Sequence, residues 1–165
     1  MTNEPSRVRT VSWADPLASA KTGAAMAGID YLRSVAAGGL PPPPFALLLD
    51  MKWESVSEGI AVFSILPQEF HYNPIGVVHG GVAMTLCDSA IGCAVHSLLA
   101  AGQAYTSLET KVNFVRPITR EAGRVRCEGK VIHAGRRIAT GEARVTDEAG
   151  KLYAHAVSTC MILTQ

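Results

Sequence analysis

Between Gly80 and Gly102 runs a stretch almost free of charge, and one carboxylate, Asp88, stands in the middle of it. No other feature restricts the fold as much. The stretch is long enough for a membrane span, but a carboxylate at lipid depth costs roughly 2.5–3.5 kcal/mol even on a lenient insertion scale. It also carries Gly80, Gly81 and Gly92 and lacks a basic flank. A helix over about Gly80–Leu99, buried inside a protein with no membrane partner, is therefore predicted. Its apolar residues surround it on all sides, and such a helix must be wrapped by other structure.

The flanking sequence supplies the wrapping. Strand-like runs at Ala46–Glu54 and Gly59–Leu66 precede the helix, and a loop from Pro67 to Val78 with Asn73-Pro74 and Gly76 leads into it. Four further strands follow. In Ser107–Arg116, Leu108, Thr110, Val112 and Phe114 alternate with Glu109, Lys111 and Asn113; in Arg124–His133, Val125, Cys127 and Val131 oppose Arg126, Glu128 and Lys130. Arg137–Thr146 places Ala139, Gly141 and Ala143 on one face, where a helix can come close, and Lys151–Leu163 ends the run. Ala134-Gly135 and Asp147–Gly150 read as hairpin connections. Upstream, Ser19–Ala37 reads as a helix with Met26, Ile29, Leu32 and Val35 apolar; Gly38-Gly39 ends it, and Pro41–Pro44 form a stiff connector. The fold class expected is α+β: an antiparallel sheet curled around a central helix, with an N-terminal helical arm and connector at 1–44 and the main domain at 45–165. Such a sheet has open edges, which invite a second copy.

Charge excludes one class of partner. With 15 basic and 14 acidic residues and only 18% charged, the chain lacks the basic stripe of a nucleic-acid binder. The balance is uneven, however: residues 110–165 hold 10 Lys/Arg against 5 Asp/Glu, a net +5 that suits a small anionic ligand such as a nucleotide phosphate. Cys87, Cys93, Cys127 and Cys160 form no CxxC pair and sit in apolar surroundings, as buried free thiols do. His71, His96, His133 and His155 share no ligand spacing, so neither a metal nor a cofactor is expected. The opening MTNEPSRVRT lacks the apolar stretch of a signal peptide, which predicts a cytoplasmic protein.

Two features carry chemistry. Asp88 has no Lys or Arg within a helical turn or two, and an unpaired carboxylate in an apolar helix is costly unless it has a use. His79-Gly80-Gly81 opens the helix, where glycines let a ligand approach backbone N–H groups at the positive end of the dipole. Eight residues separate Gly80 from Asp88, on the order of 12 Å along the axis. One chain can hardly aim both at the same carbonyl carbon; two chains with antiparallel helices can.

Asn73-Pro74-Ile75-Gly76-Val77-Val78-His79-Gly80-Gly81, followed by Asp88, closely resembles the hotdog-fold acyl-CoA thioesterases of the phenylacetic-acid-pathway type. The resemblance extends through Tyr105–Glu109, Asn113–Pro117 and His133–Arg137, and covers roughly residues 45–163. It implies a hotdog fold and acyl-coenzyme A as substrate, with coenzyme A part of the substrate and not a cofactor. It implies a homodimer, commonly paired into a homotetramer. By that resemblance Asp88 is the catalytic nucleophile or general base, and the Gly80 N–H polarises the thioester carbonyl. Asn73 and His79 shape the opposite wall, and Ser107 helps hold water, with Thr106 beside it competing for that register. Gly81 contributes to binding, while Arg136, Arg137 and, less directly, Arg116 lie near the coenzyme A phosphates. The competing readings are a hotdog hydratase or dehydratase, told apart by double-bond chemistry in place of thiol release, and a non-catalytic acyl-CoA-binding protein, told apart by tight binding without turnover.

Overall fold

A computed structural model describes residues 7–164; residues 1–6, on which the leader reading partly rests, and Gln165 lie outside the described residues. In chain order the elements are α1 (Pro16–Ala24), α2 (Gly28–Ala36), α3 (Pro44–Leu48), β1 (Lys52–Ser57), β2 (Ile60–Ile65), α4 (Gly80–His96), β3 (Gln103–Phe114), β4 (Val125–Ala134), β5 (Ile138–Asp147) and β6 (Leu152–Thr164). The six strands form one sheet in the order β1-β2-β4-β5-β6-β3, antiparallel at every pairing.

The sheet wraps α4 as the apolar sequence requires. Leu86, Cys87, Ala90, Ile91 and Ala94 are fully buried against Ala61, Phe63, Ile65, Val125, Cys127 and Val145. Burial of a Leu- or Ile-sized side chain stabilises by roughly 1.5–3 kcal/mol, so Leu86 and Ile91 alone anchor the helix firmly. Contact is closest where β4 crosses α4. A Cβ built on Gly129 would lie 2.3 Å from the carbonyl carbon of Ala90, so only glycine lets the helix backbone seat on the strand. The small-residue face read from the sequence does the same on β5, where Ala139, Gly141 and Ala143 are all buried.

One stripe of α4 is left uncovered. Gly81 and Met84 are exposed, and Thr85, Asp88 and Ser89 are half-buried. These residues recur at three- and four-residue spacing and so share a face. The sheet therefore encloses the helix on every side but the one carrying Asp88.

Three expectations need correction. The strand read at Ala46–Glu54 is split: Pro44–Leu48 is helical, and β1 starts only at Lys52. Pro44 sits at the first helical position, where its fixed φ favours helix over the strand that the apolar residues suggest. Asp50, at φ 51, then turns the chain into β1. The single helix read at Ser19–Ala37 is two helices. The first starts earlier because Asp15 accepts from the Leu17 N–H with Pro16 inside the first turn, and the chain breaks before Gly28. The Gly28 N–H then donates to the Leu99 carbonyl at 2.9 Å, and the Gly102 N–H to Ala24 at 3.0 Å, which ties the arm to the C-terminal end of α4.

In β3 the even-numbered face is interrupted. A bulge between Ser107 and Glu109 leaves Leu108 without a partner on β6 and 54% exposed. The inward side therefore passes from Tyr105 and Ser107 to Thr110 and Val112. The other edge strand, β1, carries its own register shift between Trp53 and Ser55.

Candidate active site

Asp88 lies on the open stripe of α4 and faces β3. Its Oδ1 accepts two hydrogen bonds, from Ser107 Oγ at 3.0 Å and Thr110 Oγ1 at 3.1 Å. The bulge at Leu108 is what sets two hydroxyls three residues apart on one carboxylate oxygen. Ser158 Oγ stands 3.1 Å from Thr110 Oγ1 and donates to the Glu109 carbonyl at 2.6 Å. The Ser158 hydrogen is thereby committed, and the Thr110 hydrogen is directed at the charged acceptor, the stronger of its two neighbours. Both hydroxyls bond Oδ1, and neither bonds Oδ2. Thr110 was missed at the sequence level because it read as one more member of an apolar face. Thr106, the competing hydroxyl, is exposed.

Asp88 also acts on its neighbours. Burial pushes the Cys93 thiol up to about 12, and the nearby carboxylate adds to the effect. Burial likewise raises the Tyr105 phenol, with Cys93 and then Asp88 contributing. Tyr105 crosses the helix at Gly92, one turn beyond Asp88, where a Cβ would fall 2.3 Å from the phenol oxygen. The four cysteines are free thiols, and Cys87 and Cys127 face each other at 4.0 Å.

The helix start is built around His79, the N-cap. Its Nδ1 accepts from the Gly81 N–H at 2.9 Å, which places the ring proton of neutral His79 on Nε2. The Gly81 amide, expected to face a ligand, is thus occupied. Gly80, the first helical residue, has no intrahelical acceptor and keeps its N–H for another group. Asn73 closes the loop before it: its Oδ1 accepts from Ile75 at 3.1 Å and from Val77 at 3.4 Å, and its own N–H donates to Val77 at 2.8 Å. His71, which sequence reasoning passed over, anchors the same loop from below. It is 2% exposed, accepts at Nδ1 from the Gln68 N–H, donates through Nε2 to Leu49, and receives the His79 N–H on its carbonyl. Burial holds its pKa below the ordinary imidazole value.

A cavity of about 330 Å³ opens beside Gly80, lined among others by Asn73, Val78, Phe114, Arg116 and Ile118. Asp88 does not line it, so a single chain keeps the carboxylate and the helix start apart. Arg116, the weaker phosphate candidate of the three arginines, lines this cavity and donates to the Leu152 carbonyl at 2.6 Å. Arg136 and Arg137 are exposed in the β4–β5 turn. That turn sits by the Ile138–Met161 pairing, at the Thr106 end of β3 and away from Phe114 and Gly80. Among the described residues, no group of three or more His, Cys, Asp or Glu is placed to hold a metal ion, and no helix is long and apolar enough to cross a membrane.

The family profile of the thioesterase superfamily matches residues 75–154, a span that begins in the Asn73 loop and contains Gly80, Asp88, Ser107 and Thr110. The chain is 30% identical over 108 residues to the 1,4-dihydroxy-2-naphthoyl-CoA hydrolase of Listeria monocytogenes, covering 66% of this chain and 85% of that protein. It belongs to the thioesterase superfamily. Solved members of this hotdog-fold superfamily superpose on it closely. A conserved protein of Pseudomonas aeruginosa gives a TM-score of 0.69 at 31% identity, covering 74% of this chain and 95% of that one. A phenylacetic acid degradation-related protein of Ralstonia eutropha gives 0.72 at 26% identity, covering 79% and 98%. The antiparallel sheet around a central helix, expected from the sequence, is thus borne out, and the enzyme class is thioester hydrolase.

Proposed function

We propose that this chain hydrolyses the thioester of acyl- or aryl-acyl-coenzyme A to the free acid and coenzyme A. Asp88 is the nucleophile or general base, and the Gly80 N–H polarises the carbonyl. The reading rests on one observation: a carboxylate with no cationic partner among the described residues, fixed by the hydroxyls of Ser107 and Thr110, stands on the open stripe of an otherwise enclosed helix. A thioester is already activated, so a held carboxylate and an oxyanion site are sufficient chemistry. The similarity to a naphthoyl-CoA hydrolase supports a coenzyme A thioester as substrate.

The site is shared between two copies. Asp88 and Gly80 are on the order of 12 Å apart along one helix, and an antiparallel partner helix brings its glycine end to Asp88. The surface left for that partner is apolar: Met84, Leu108, Phe114 and Val115 are each at least 42% exposed along the open stripe and the unpaired edge of β3. His79 and Asn73 hold the helix start and the loop that shape the carbonyl end. Arg116 serves the phosphate side, with Arg136 and Arg137 reaching it across the assembled dimer, which can pair again into a tetramer.

A thiol-release assay over a panel of acyl-CoAs tests the chemistry. Asp88→Asn is expected to lose activity by orders of magnitude with the fold intact, and a variant as fast as wild type overturns the mechanism. Sharing is tested by mixing subunits. Gly80→Pro removes the N–H at a helix position that tolerates proline. Mixed with Asp88→Asn, it is expected to regenerate one intact site per heterodimer; no recovered activity in the mixed dimer refutes the shared site.

A further inference from the structure

Among the described residues four polar side chains are buried: Ser64, His71, Ser97 and Ser158. The first three have structural partners. Ser64 bonds Glu54 and Arg124 on the sheet, His71 holds the Asn73 loop, and Ser97 donates to Ala94 at the end of α4 and accepts from the Gly59 N–H. Ser158, 2% exposed on β6, instead stands behind the carboxylate. In the β3–β6 register it faces Thr110, and Cys160 faces Ser107. Because of the bulge, the two hydroxyls on Asp88 are three residues apart on β3, while their partners are two apart on β6.

Each hydroxyl has one hydrogen to give and lone pairs to receive with. Ser158 gives its hydrogen to the Glu109 carbonyl at 2.6 Å, so towards Thr110, at 3.1 Å, it can only accept. The Thr110 hydrogen therefore has two acceptors within reach, Asp88 Oδ1 and Ser158 Oγ, both at 3.1 Å. Charge decides between them. A carboxylate bonds a donor about twice as strongly as a neutral oxygen does, and it holds the hydrogen before reaction. Catalysis removes that charge. As a base, Asp88 takes a proton from the attacking water; as a nucleophile, it bonds the acyl carbon and coenzyme A leaves as the thiolate. In either case Oδ1 becomes a neutral acceptor, and Ser158 then competes for the hydrogen without any movement of the strands. Ser107 has no such alternative, because the Cys160 sulfur opposite it is a weak acceptor.

We propose that Ser158 is a positioning residue that acts through Thr110: it receives the Thr110 hydrogen when Asp88 loses its charge, and so eases formation of the neutral carboxyl or acyl group. The inference rests on the acyl-CoA reading of Asp88 and adds to it a residue far from the helix motif. Removal of the two hydroxyls has opposite signs. Without Thr110 the carboxylate loses a donor, the charged form weakens, and Asp88 titrates at higher pH. Without Ser158 an acceptor is lost that serves the neutral form, and Asp88 titrates at lower pH. A Ser158 that only packed the strands would, when removed, loosen the hydroxyl pair and raise the midpoint, as loss of Thr110 does. The other titratable groups packed around Asp88 are Cys93 on α4, Tyr105 on β3 and Cys160 on β6, each raised by burial and so neutral throughout the acid range. Glu109 is exposed, and His79 lies at the glycine end that the second copy brings; both are the same in every variant compared.

Carbon NMR of protein carrying isotope-labelled aspartate follows the Asp88 titration directly, with the signal assigned by its loss in Asp88→Asn. Relative to wild type, the midpoint is expected to move by about half a pH unit or more, down in Ser158→Ala and up in Thr110→Val. Turnover is read by thiol release over the acyl-CoA panel. Ser158→Ala is expected to lower kcat on the order of tenfold, the worth of one net hydrogen bond, with KM little changed. In a Thr110→Val background the same substitution is expected to cost at most about twofold, because the hydroxyl through which Ser158 acts is already gone. Ser158→Cys fills the same space with a weak acceptor and is expected to follow Ser158→Ala. A midpoint that rises or stays in Ser158→Ala, a wild-type kcat in Ser158→Ala or Ser158→Cys, or an equal loss in both backgrounds overturns the proposal. Failure of the hydrolase reading looks different: the two midpoints still move in opposite directions, but no protein, wild type included, releases thiol from any acyl-CoA.

Discussion

Replacing Gly129 by alanine tests the seat of the central helix, and the sign of the effect is diagnostic. Without a clash, alanine stabilises a strand by about 0.4–1 kcal/mol, because the unfolded chain loses freedom. Here the added Cβ falls 2.3 Å from the Ala90 carbonyl carbon, 2.4 Å from its oxygen and 2.6 Å from the Ile91 nitrogen. All three are backbone atoms of a helix held by buried Leu86 and Ile91, so no side chain can swing aside. Helix and strand must separate by about 1 Å, and overpacking of this kind costs about 1–3 kcal/mol and occasionally more. A net loss near 2 kcal/mol lowers Tm by about 4–8 °C for a domain of this size. Melting should be followed by circular dichroism at equal protomer concentration, since the Tm of the proposed dimer depends on it. Because Ala90 is two residues from Asp88, a helix displaced by about 1 Å is also expected to cost on the order of a hundredfold in turnover. A Tm equal to or above wild type would refute the packing argument.

Further outcomes are expected from the same structure. Thr110→Val and Ser107→Ala each remove a hydrogen bond to a charged acceptor worth about 1.5–3 kcal/mol, so kcat is expected to fall about ten- to a hundredfold with KM little changed; a mutant at the wild-type rate in the thiol-release assay counts against a positioned Asp88. His71 and His96 both have folded pKa values held below the ordinary one by burial. The unfolded chain therefore takes up protons first, and stability falls as pH drops below about 6.5. Urea unfolding at pH 7.5 and 5.5 measures this, with equal midpoints as the contrary result. Cys87, Cys127 and Cys160 are fully buried, and the Cys93 thiol is pushed up to about 12. A thiol reagent at pH 8 is expected to react quickly with none of the four in the native protein and with all four in denaturant.

Much of the fold was legible because its signals are local. The charge-poor run around Asp88 pointed to α4, clean alternation to β3 and β4, and the turn residues at Ala134-Gly135 and Asp147–Gly150 to β5 and β6. Where two local signals competed, reading failed: the apolar residues from Ala46 suggested strand, but Pro44 at a helix start decided the first turn. Asp88 and the glycines stood out because each was costly or unusual where it stood. Thr110 did not, since its place beside the carboxylate depends on a bulge, which shifts a register without altering the residues that show alternation. A cavity of about 270 Å³ between the sheet and the arm was not legible at all: Tyr31, Trp53, His96 and Tyr105 lie far apart in sequence, and only the folded chain assembles them.

The irregularities in β3 and β1 also bear on how the molecule behaves in a crowd. Both lie in the terminal strands of the sheet, the two places where a foreign strand could attach. A kinked margin can accept one shaped neighbour over a short length, but it offers no straight template for a third, so growth into ribbons stalls after the first pairing. The kink that gives the carboxylate its second hydroxyl thus also helps keep the protein from polymerising.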